Sequence, residues 1–314
     1  MTSAVVATGF GGPENLALID VEVPAPGPGE VAVSVLACGV NPIDLKLYGG
    51  QRGADPSALP MRLGFEAAGV VTAVGPDADG PEGPIAVGDE VIAFRISGAY
   101  AGDVVVPASA VVQKPAALDW PQAGGLMLTG ATAVHLLTAT GVAADDVVLI
   151  HGASGGVGLM AVQLAVLRGA RVIATASEHR HGLLEELGAE PVVYGDGLIE
   201  RVQELAPDGV DAALDPVGTD EALETSLALV PEKQRIATIA NYGATSAGIQ
   251  LLGGGPGADP GDEVRANART ELTRLAGTGA LTVHLGATYP LAEVADAHRL
   301  LAEGKANGKV ILLP

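Results

Sequence analysis

Residues 147–177, VVLIHGASGGVGLMAVQLAVLRGARVIATAS, read as strand, glycine loop, helix and second strand, and that reading decides the fold. The run 147–150 is apolar and β-branched enough for a strand buried on both faces. Gly152, Gly155, Gly156 and Gly158 follow at once, where a backbone must turn tightly and approach something closely. A helix is expected from Val157 to Arg168, with Gly169 as its left-handed C-cap, and 171–175 returns as a parallel strand. The first N–H groups of such a helix lack partners within it and sit at the positive end of its dipole, so a pyrophosphate fits there. This is the βαβ unit of a dinucleotide-binding fold.

The glycine pattern departs from G-x-G-x-x-G at its first position, in Ala153-Ser154-Gly155-Gly156-Val157-Gly158. Glycine-rich turns often only connect elements. Here the strand before, the helix after and the strand beyond supply the context that cofactor binding requires. Ser154, Gly155, Gly156, Val157 and Gly158 are therefore the first candidate cofactor contacts.

The chain has 314 residues, enough for two domains with cores of their own. Although 48% of it is hydrophobic, no uncharged apolar run of about 18 residues suggests a membrane span. The opening MTSAVVATGFGGPENL lacks a basic region followed by an apolar core, so no secretory signal is expected. Its one cysteine, Cys38, excludes an internal disulfide and a cysteine cluster for structural zinc, and fits a reducing cytoplasm. A net charge of −20 disfavours nucleic acid as a partner and reads as an acidic, solubilising surface.

The first hundred or so residues are short apolar runs at 31–36, 69–74, 89–95 and 103–106, separated by turn chemistry such as 24–29 (PAPGPG) and 75–88. Strands at that spacing predict a compact, barrel-like β domain. From about residue 118 the texture changes to a helix at 123–140 and then alternating elements. Strands are expected at 147–151, 171–175, 191–194, 210–215, 235–240 and 282–286, with helices between them, which makes a doubly wound sheet. The segment 253–261 (GGGPGADPG) is either a lid or a plain surface loop. A terminal helix at 291–303 and strand at 309–313 are left over, which suggests that the C-terminus returns to the first domain.

Five further segments carry a family resemblance: 38–50 (CGVNPIDLKLYGG), 63–74 (LGFEAAGVVTAV), 88–91 (GDEV), 130–133 with 152–158, and 308–312 (GKVIL). In this order they resemble the zinc-free quinone oxidoreductase (zeta-crystallin-like) branch of the medium-chain dehydrogenase/reductase superfamily, over nearly the whole chain. The resemblance implies an α/β fold. A GroES-like, β-barrel-type catalytic domain is expected at 1–120 and 285–314, and a six-stranded parallel Rossmann domain at 121–284. Zinc-dependent relatives carry a cysteine at the position matching Asn41 and a histidine at the position matching Phe65. An amide and a phenyl ring are poor or impossible zinc ligands, and Glu66 alone does not hold the metal. Without a metal, the easier acceptor is already activated, such as a quinone or an α,β-unsaturated carbonyl.

The same resemblance places Asn41 near nicotinamide and substrate. Its alternative is a turn residue before Pro42 with a self-satisfied amide. Tyr48 is a candidate proton or hydrogen-bond donor to substrate, or else an ordinary aromatic; some quinone reductases place a tyrosine two positions earlier, where Lys46 stands here. Thr129 is expected at the cofactor, or back-bonded within its helix. Lys309, in the closing GKVIL, is implied as a further cofactor contact. At the tip of the second strand, Ser177 and Arg180 resemble the hydroxyl-plus-cation pair with which NADPH-using relatives hold the 2′-phosphate, and Glu178 argues for NADH. Tyr194 and Val217 lie at carboxyl ends of strands, the edge where such sheets bind ligands. The expectations are NADPH over NADH, a small electrophilic substrate, a homodimer and a cytoplasmic location. An enoyl reductase acting on a larger acyl substrate, or a dinucleotide-binding protein with little turnover, are the alternatives.

Overall fold

Val147–Ile150 forms the middle of a parallel sheet because its side chains have apolar partners on both faces; Leu149 and Ile150 are fully buried. The computed structural model describes residues 1–314, which divide into unit 1, Met1–Leu128 with Arg269–Pro314, and unit 2, Thr129–Ala268. In unit 2 the sheet runs Glu190–Val192, Arg171–Thr175, Val147–Ile150, Ala212–Asp215, Ile236–Thr238 and Gln250–Leu251, every pair parallel. Chain direction across the sheet reverses beside Val147–Ile150, which makes its carboxyl end a topological switch point. The helix Gly156–Leu167 follows, and Gly169 ends it with φ 84°, as a left-handed cap requires. Leu149, Ile173, Val202, Ala213 and Ile236 pack in one core of this unit.

The sixth strand is not where the sequence pattern put it. Gln250–Leu251 has two residues and therefore no periodicity to detect. Instead of joining the parallel sheet, the segment expected at 282–286 contributes Leu285–Pro290, a partly exposed edge strand of unit 1 paired with Lys309–Leu313.

Unit 1 holds the larger sheet, in the order Val111–Gln113, Glu90–Phe94, Glu66–Val74, Glu30–Val40, Lys309–Leu313 and Leu285–Pro290. The long strand Glu30–Val40 organises it. Asp103–Pro107 pairs with its amino half, Glu66–Val74 follows most of its length, and the C-terminal strand pairs with Cys38, Gly39 and Val40. Val310 sits opposite Val40, so the register delivers Lys309 to the neighbourhood of Asn41. A Cβ on Gly39 would lie 2.4 Å from Glu66 Oε1 and 2.8 Å from the Gly124 carbonyl, so only glycine lets the helix Trp120–Ala139 approach this strand. A smaller sheet of Leu16–Val21, Thr2–Ala7 and Met61–Arg62 completes the unit.

Leu312 is fully buried in the unit 1 core. Leu312→Ala is expected to cost about 2–5 kcal/mol in urea unfolding, the range for deleting a packed leucine side chain. A loss within experimental error would show that the C-terminal strand is not part of that core.

Candidate active site

Three strand-borne or capping side chains in unit 1 form one closed hydrogen-bond cluster. The side chains of Lys309 and Glu66 are 4% and 0% exposed, and Asn41 is buried between them. Lys309 Nζ donates to Glu66 Oε1 at 2.7 Å, to the Val40 carbonyl at 3.1 Å and to Asn41 Oδ1. Asn41 Nδ2 donates to Glu66 Oε1 at 3.0 Å and to the Gly39 carbonyl at 3.1 Å. The second carboxylate oxygen accepts the Leu128 N–H at 2.8 Å. An ammonium only donates and a carboxylate only accepts, so the Asn41 amide has one possible orientation. All three ammonium protons and both amide protons are then engaged. This corrects the expected role of Lys309 as a cofactor contact, since no N–H of its side chain remains for a phosphate.

The backbone of Asn41 is held from the other side, where its N–H donates to Asp44 Oδ2 at 2.9 Å and so caps the helix Pro42–Tyr48. Asp44 also accepts the Gly64 N–H at 3.0 Å and the Tyr100 hydroxyl. Burial pushes the Asp44 carboxyl up to about 6, so it is ionised at neutral pH and acts only as an acceptor. Tyr100, its proton committed to Asp44, must accept from His298 Nε2, which lies 3.3 Å from its oxygen. Burial holds His298 down to about 4, so the ring is neutral, and Nδ1 accepts the Tyr48 hydroxyl at 2.8 Å. The chain therefore runs Tyr48 to His298 to Tyr100 to Asp44. It revises the proton-donor role expected for Tyr48, because its hydroxyl proton is committed to His298 Nδ1 in the core. Burial and the nearby Asp44 and Glu66 carboxylates push the Cys38 thiol well up, so it is no nucleophile at neutral pH.

In unit 2 the glycine loop is a cradle. A Cβ on Gly158 would meet the Gly152 carbonyl at 2.4 Å, so the helix start can fold against the loop only with glycine there. Gly152 N–H and Ala153 N–H are tied to Thr175, at 3.1 Å to its hydroxyl and 3.0 Å to its carbonyl. Gly155 is exposed, and Ser154, Gly156 and Val157 are half-buried around it. Thr129 lies at the same place, its methyl 3.2 Å from where a Gly156 Cβ would stand. Val217 covers the loop from the next strand end and remains 47% exposed. Ser177 and Arg180 are half-buried on the turn Glu178–Arg180, whereas Glu178 is exposed. Tyr194 is 54% exposed beyond the edge strand Glu190–Val192. Open helix N–H groups, a glycine cradle and a nearby cation are the donor set that a dinucleotide needs.

The sequence places 215–218 and 239–241 at carboxyl ends of strands, on the ligand-binding edge, but it does not show how Asp215 and Thr238 shape these two loops. Asp215 Oδ1 accepts the N–H groups of Val217 and Gly218 at 3.0 and 2.7 Å, and Oδ2 accepts the Thr238 hydroxyl at 2.8 Å. Thr238 Oγ1 in turn accepts from Ala240 and Asn241 at 3.2 and 3.1 Å. The signal was an acid placed where a parallel strand should be wholly apolar. The segment 253–261 is pinned by Asp259, which pairs with buried His135 at 3.2 Å.

No group of three or more His, Cys, Asp or Glu is arranged to hold a metal ion, and no helix is long and apolar enough to cross a membrane. A β-rich unit that takes back the C-terminal strand, joined to a parallel sheet in the order 3-2-1-4-5-6, is the architecture of a medium-chain dehydrogenase/reductase. Residues 27–116 match the alcohol dehydrogenase GroES-like domain, and residues 156–252 match the zinc-binding dehydrogenase domain. A quinone oxidoreductase of Pseudomonas aeruginosa is 34% identical, with all of both chains covered. The synaptic vesicle membrane protein VAT-1 homolog of Rattus norvegicus is 30% identical over 99% of this chain and 83% of that one. The structure of Escherichia coli quinone oxidoreductase complexed with NADPH superposes with a TM-score of 0.85 at 29% identity, covering 99% of this chain and 100% of that one. The chain belongs to the quinone oxidoreductase branch of the medium-chain dehydrogenase/reductase superfamily and is an oxidoreductase.

Three buried groups set an acid dependence. His151 and His298 are each lowered to about 4 from 6.5, and Asp44 is raised to about 6 from 3.8, all by burial. Between these values the unfolded chain takes up imidazole protons that the folded chain refuses, so both histidines add stability as pH rises. Asp44 keeps its proton longer in the folded chain and subtracts stability as pH rises. Each histidine is worth about 3 kcal/mol across the window. In urea unfolding, the change in stability between pH 4 and 6.5 is therefore expected to be about 3 kcal/mol more favourable in wild type than in His298→Gln. Equal gains in both proteins would remove His298 from this account.

Proposed function

We propose that this enzyme transfers hydride from NADPH to a quinone or an α,β-unsaturated carbonyl, without zinc. The observation that carries the reading is the Lys309–Glu66–Asn41 cluster. Where zinc-dependent relatives have a cysteine, this chain has an amide already bonded to Lys309 and Glu66. Phe65, at the position matching the histidine, offers no lone pair. When bound, the reduced nicotinamide supplies the hydride. Thr129, the 154–158 loop and Val217 are the residues we assign to cradle the dinucleotide, with Ser177 and Arg180 on the 2′-phosphate. The exposure of Glu178 and the half-burial of Arg180 support NADPH over NADH. Asn41 is assigned to line the acceptor site. Tyr48 is left out of the catalytic set, and protonation of the reduced acceptor is assigned to solvent. We also propose a cytoplasmic homodimer joined through an edge of the parallel sheet.

The direct test is NADPH oxidation against quinones, enones and enoyl thioesters, with NADH as control and with a strong chelator present. Turnover of quinones or enones, unchanged by the chelator, is the expected result. One tightly held zinc per chain, with activity lost on its removal, would overturn the metal-free reading.

Arg180→Ala removes a charge-assisted contact of about 1.5–3 kcal/mol, so NADPH affinity is expected to fall about ten- to a hundredfold. NADH affinity should hardly change. Paired titrations of both cofactors decide it: equal weakening makes Arg180 structural, and a wild type that prefers NADH gives the decision to Glu178.

A further inference from the structure

We propose that Lys309 is a positioning residue, a tethered cation that sets the orientation of the Asn41 amide, and that its oxygen cage takes a small primary ammonium ion when the lysine side chain is removed. The inference rests on the proposed function only for the claim that Asn41 serves the acceptor. The cage itself is independent of it.

The cage has three acceptors from two parts of unit 1: Glu66 Oε1 on one strand, and the Val40 carbonyl and Asn41 Oδ1 from adjacent residues at the end of another. They match the three protons of an ammonium and leave none over. That fit differs from a casual ion pair, in which a lysine reaches one carboxylate and leaves its other protons to water. Both charged side chains are almost fully withdrawn from solvent, so neither is stable there without the other. Asn41 depends on the cation more than Glu66 does. The carboxylate keeps two N–H donors without Lys309, from Asn41 Nδ2 and Leu128. The Asn41 amide oxygen has Lys309 as its charged partner, and a flipped amide would set its oxygen against the Glu66 carboxylate. Lys309 thus fixes which end of the amide faces which way.

A purely packing role for the lysine stem predicts that methionine, with a similar apolar length, replaces it. A positioning role predicts otherwise. Lys309→Met should release the Asn41 side-chain amide, and in protein labelled with 15N-asparagine its two protons should exchange with solvent about ten- to a hundredfold faster, the value of one charge-assisted hydrogen bond. Turnover should show a kcat loss of about the same size, with NADPH affinity unchanged. In Lys309→Ala, methylammonium at millimolar concentration should restore part of kcat, and tetramethylammonium, which has no N–H to donate, should not.

Asn41 protons as protected in Lys309→Met as in wild type would overturn the proposal. So would a loss of NADPH affinity that matches the loss of kcat, which would make Lys309 a cofactor contact after all. Equal effects of methylammonium and tetramethylammonium would reduce the rescue to ionic strength and overturn the cage. A wild type that oxidises no NADPH with any acceptor would sink the proposed function, and the amide exchange would still decide the positioning claim. Should Lys309→Met fail to fold, the comparison passes to the Glu66→Gln, Lys309→Met double variant. It removes both charges, and its Asn41 protons are again expected to exchange faster than in wild type.

Discussion

A buried carboxylate needs its cation, and much of unit 1 is arranged around that need. Glu66 lies on a strand whose neighbours are apolar, where an uncompensated charge costs several kcal/mol even after relaxation. Its partner arrives from the other end of the chain, on Lys309–Leu313. The helix Trp120–Ala139 contributes the Leu128 N–H, and the cap of Pro42–Tyr48 contributes the Asn41 amide. Four separate stretches must therefore meet before any is satisfied. This accounts for a C-terminus that returns to the first unit and for the glycine at position 39, where any side chain would collide with the carboxylate.

Unit 2 repeats the device with a different partner. Asp215 is buried at the end of Ala212–Asp215, and burial raises its carboxyl above the ordinary range. Two backbone N–H groups and a threonine hydroxyl satisfy it in place of a cation. The result is a pair of loops, 215–218 and 238–241, whose backbones are held at the carboxyl edge of the sheet. In both units a buried anion converts flexible backbone into a fixed surface. In both, the anion is a residue that a core position would normally exclude.

The βαβ unit was legible because three independent local signals agreed: apolar runs, glycines at the turn, and a helix that ends on glycine. The barrel-like unit was legible only as a texture of short strands, and Gln250–Leu251 was too short to carry a period. Site residues divided along the same line. The glycine loop could be singled out from chain-local context, and the structure sets the Thr129 methyl against Gly156. The roles of Lys309 and Tyr48 could not be read, because each depends on a partner about 250 positions away in sequence: 243 for Lys309 with Glu66 and 250 for Tyr48 with His298. Donor and acceptor counting settles such cases only after the fold has supplied the neighbours.

The chemistry of the cluster also bears on the class of acceptor. A metal ion polarises a carbonyl because it keeps an open coordination position. The Lys309 ammonium, with its three protons held by Glu66, Asn41 and Val40, keeps none. The Asn41 amide likewise has both protons engaged and presents only acceptor capacity. Under the function proposed above, an acceptor bound beside Asn41 would receive no proton and no Lewis acid from this buried cluster. A simple ketone, whose developing alkoxide needs such help, gains little there. A conjugated acceptor delocalises the charge onto an oxygen several bonds from the carbon that takes hydride, so stabilisation at the point of attack matters less. Under that proposal, asparagine at 41 and phenylalanine at 65, which are poor zinc ligands, go together with acceptors that are activated before they bind.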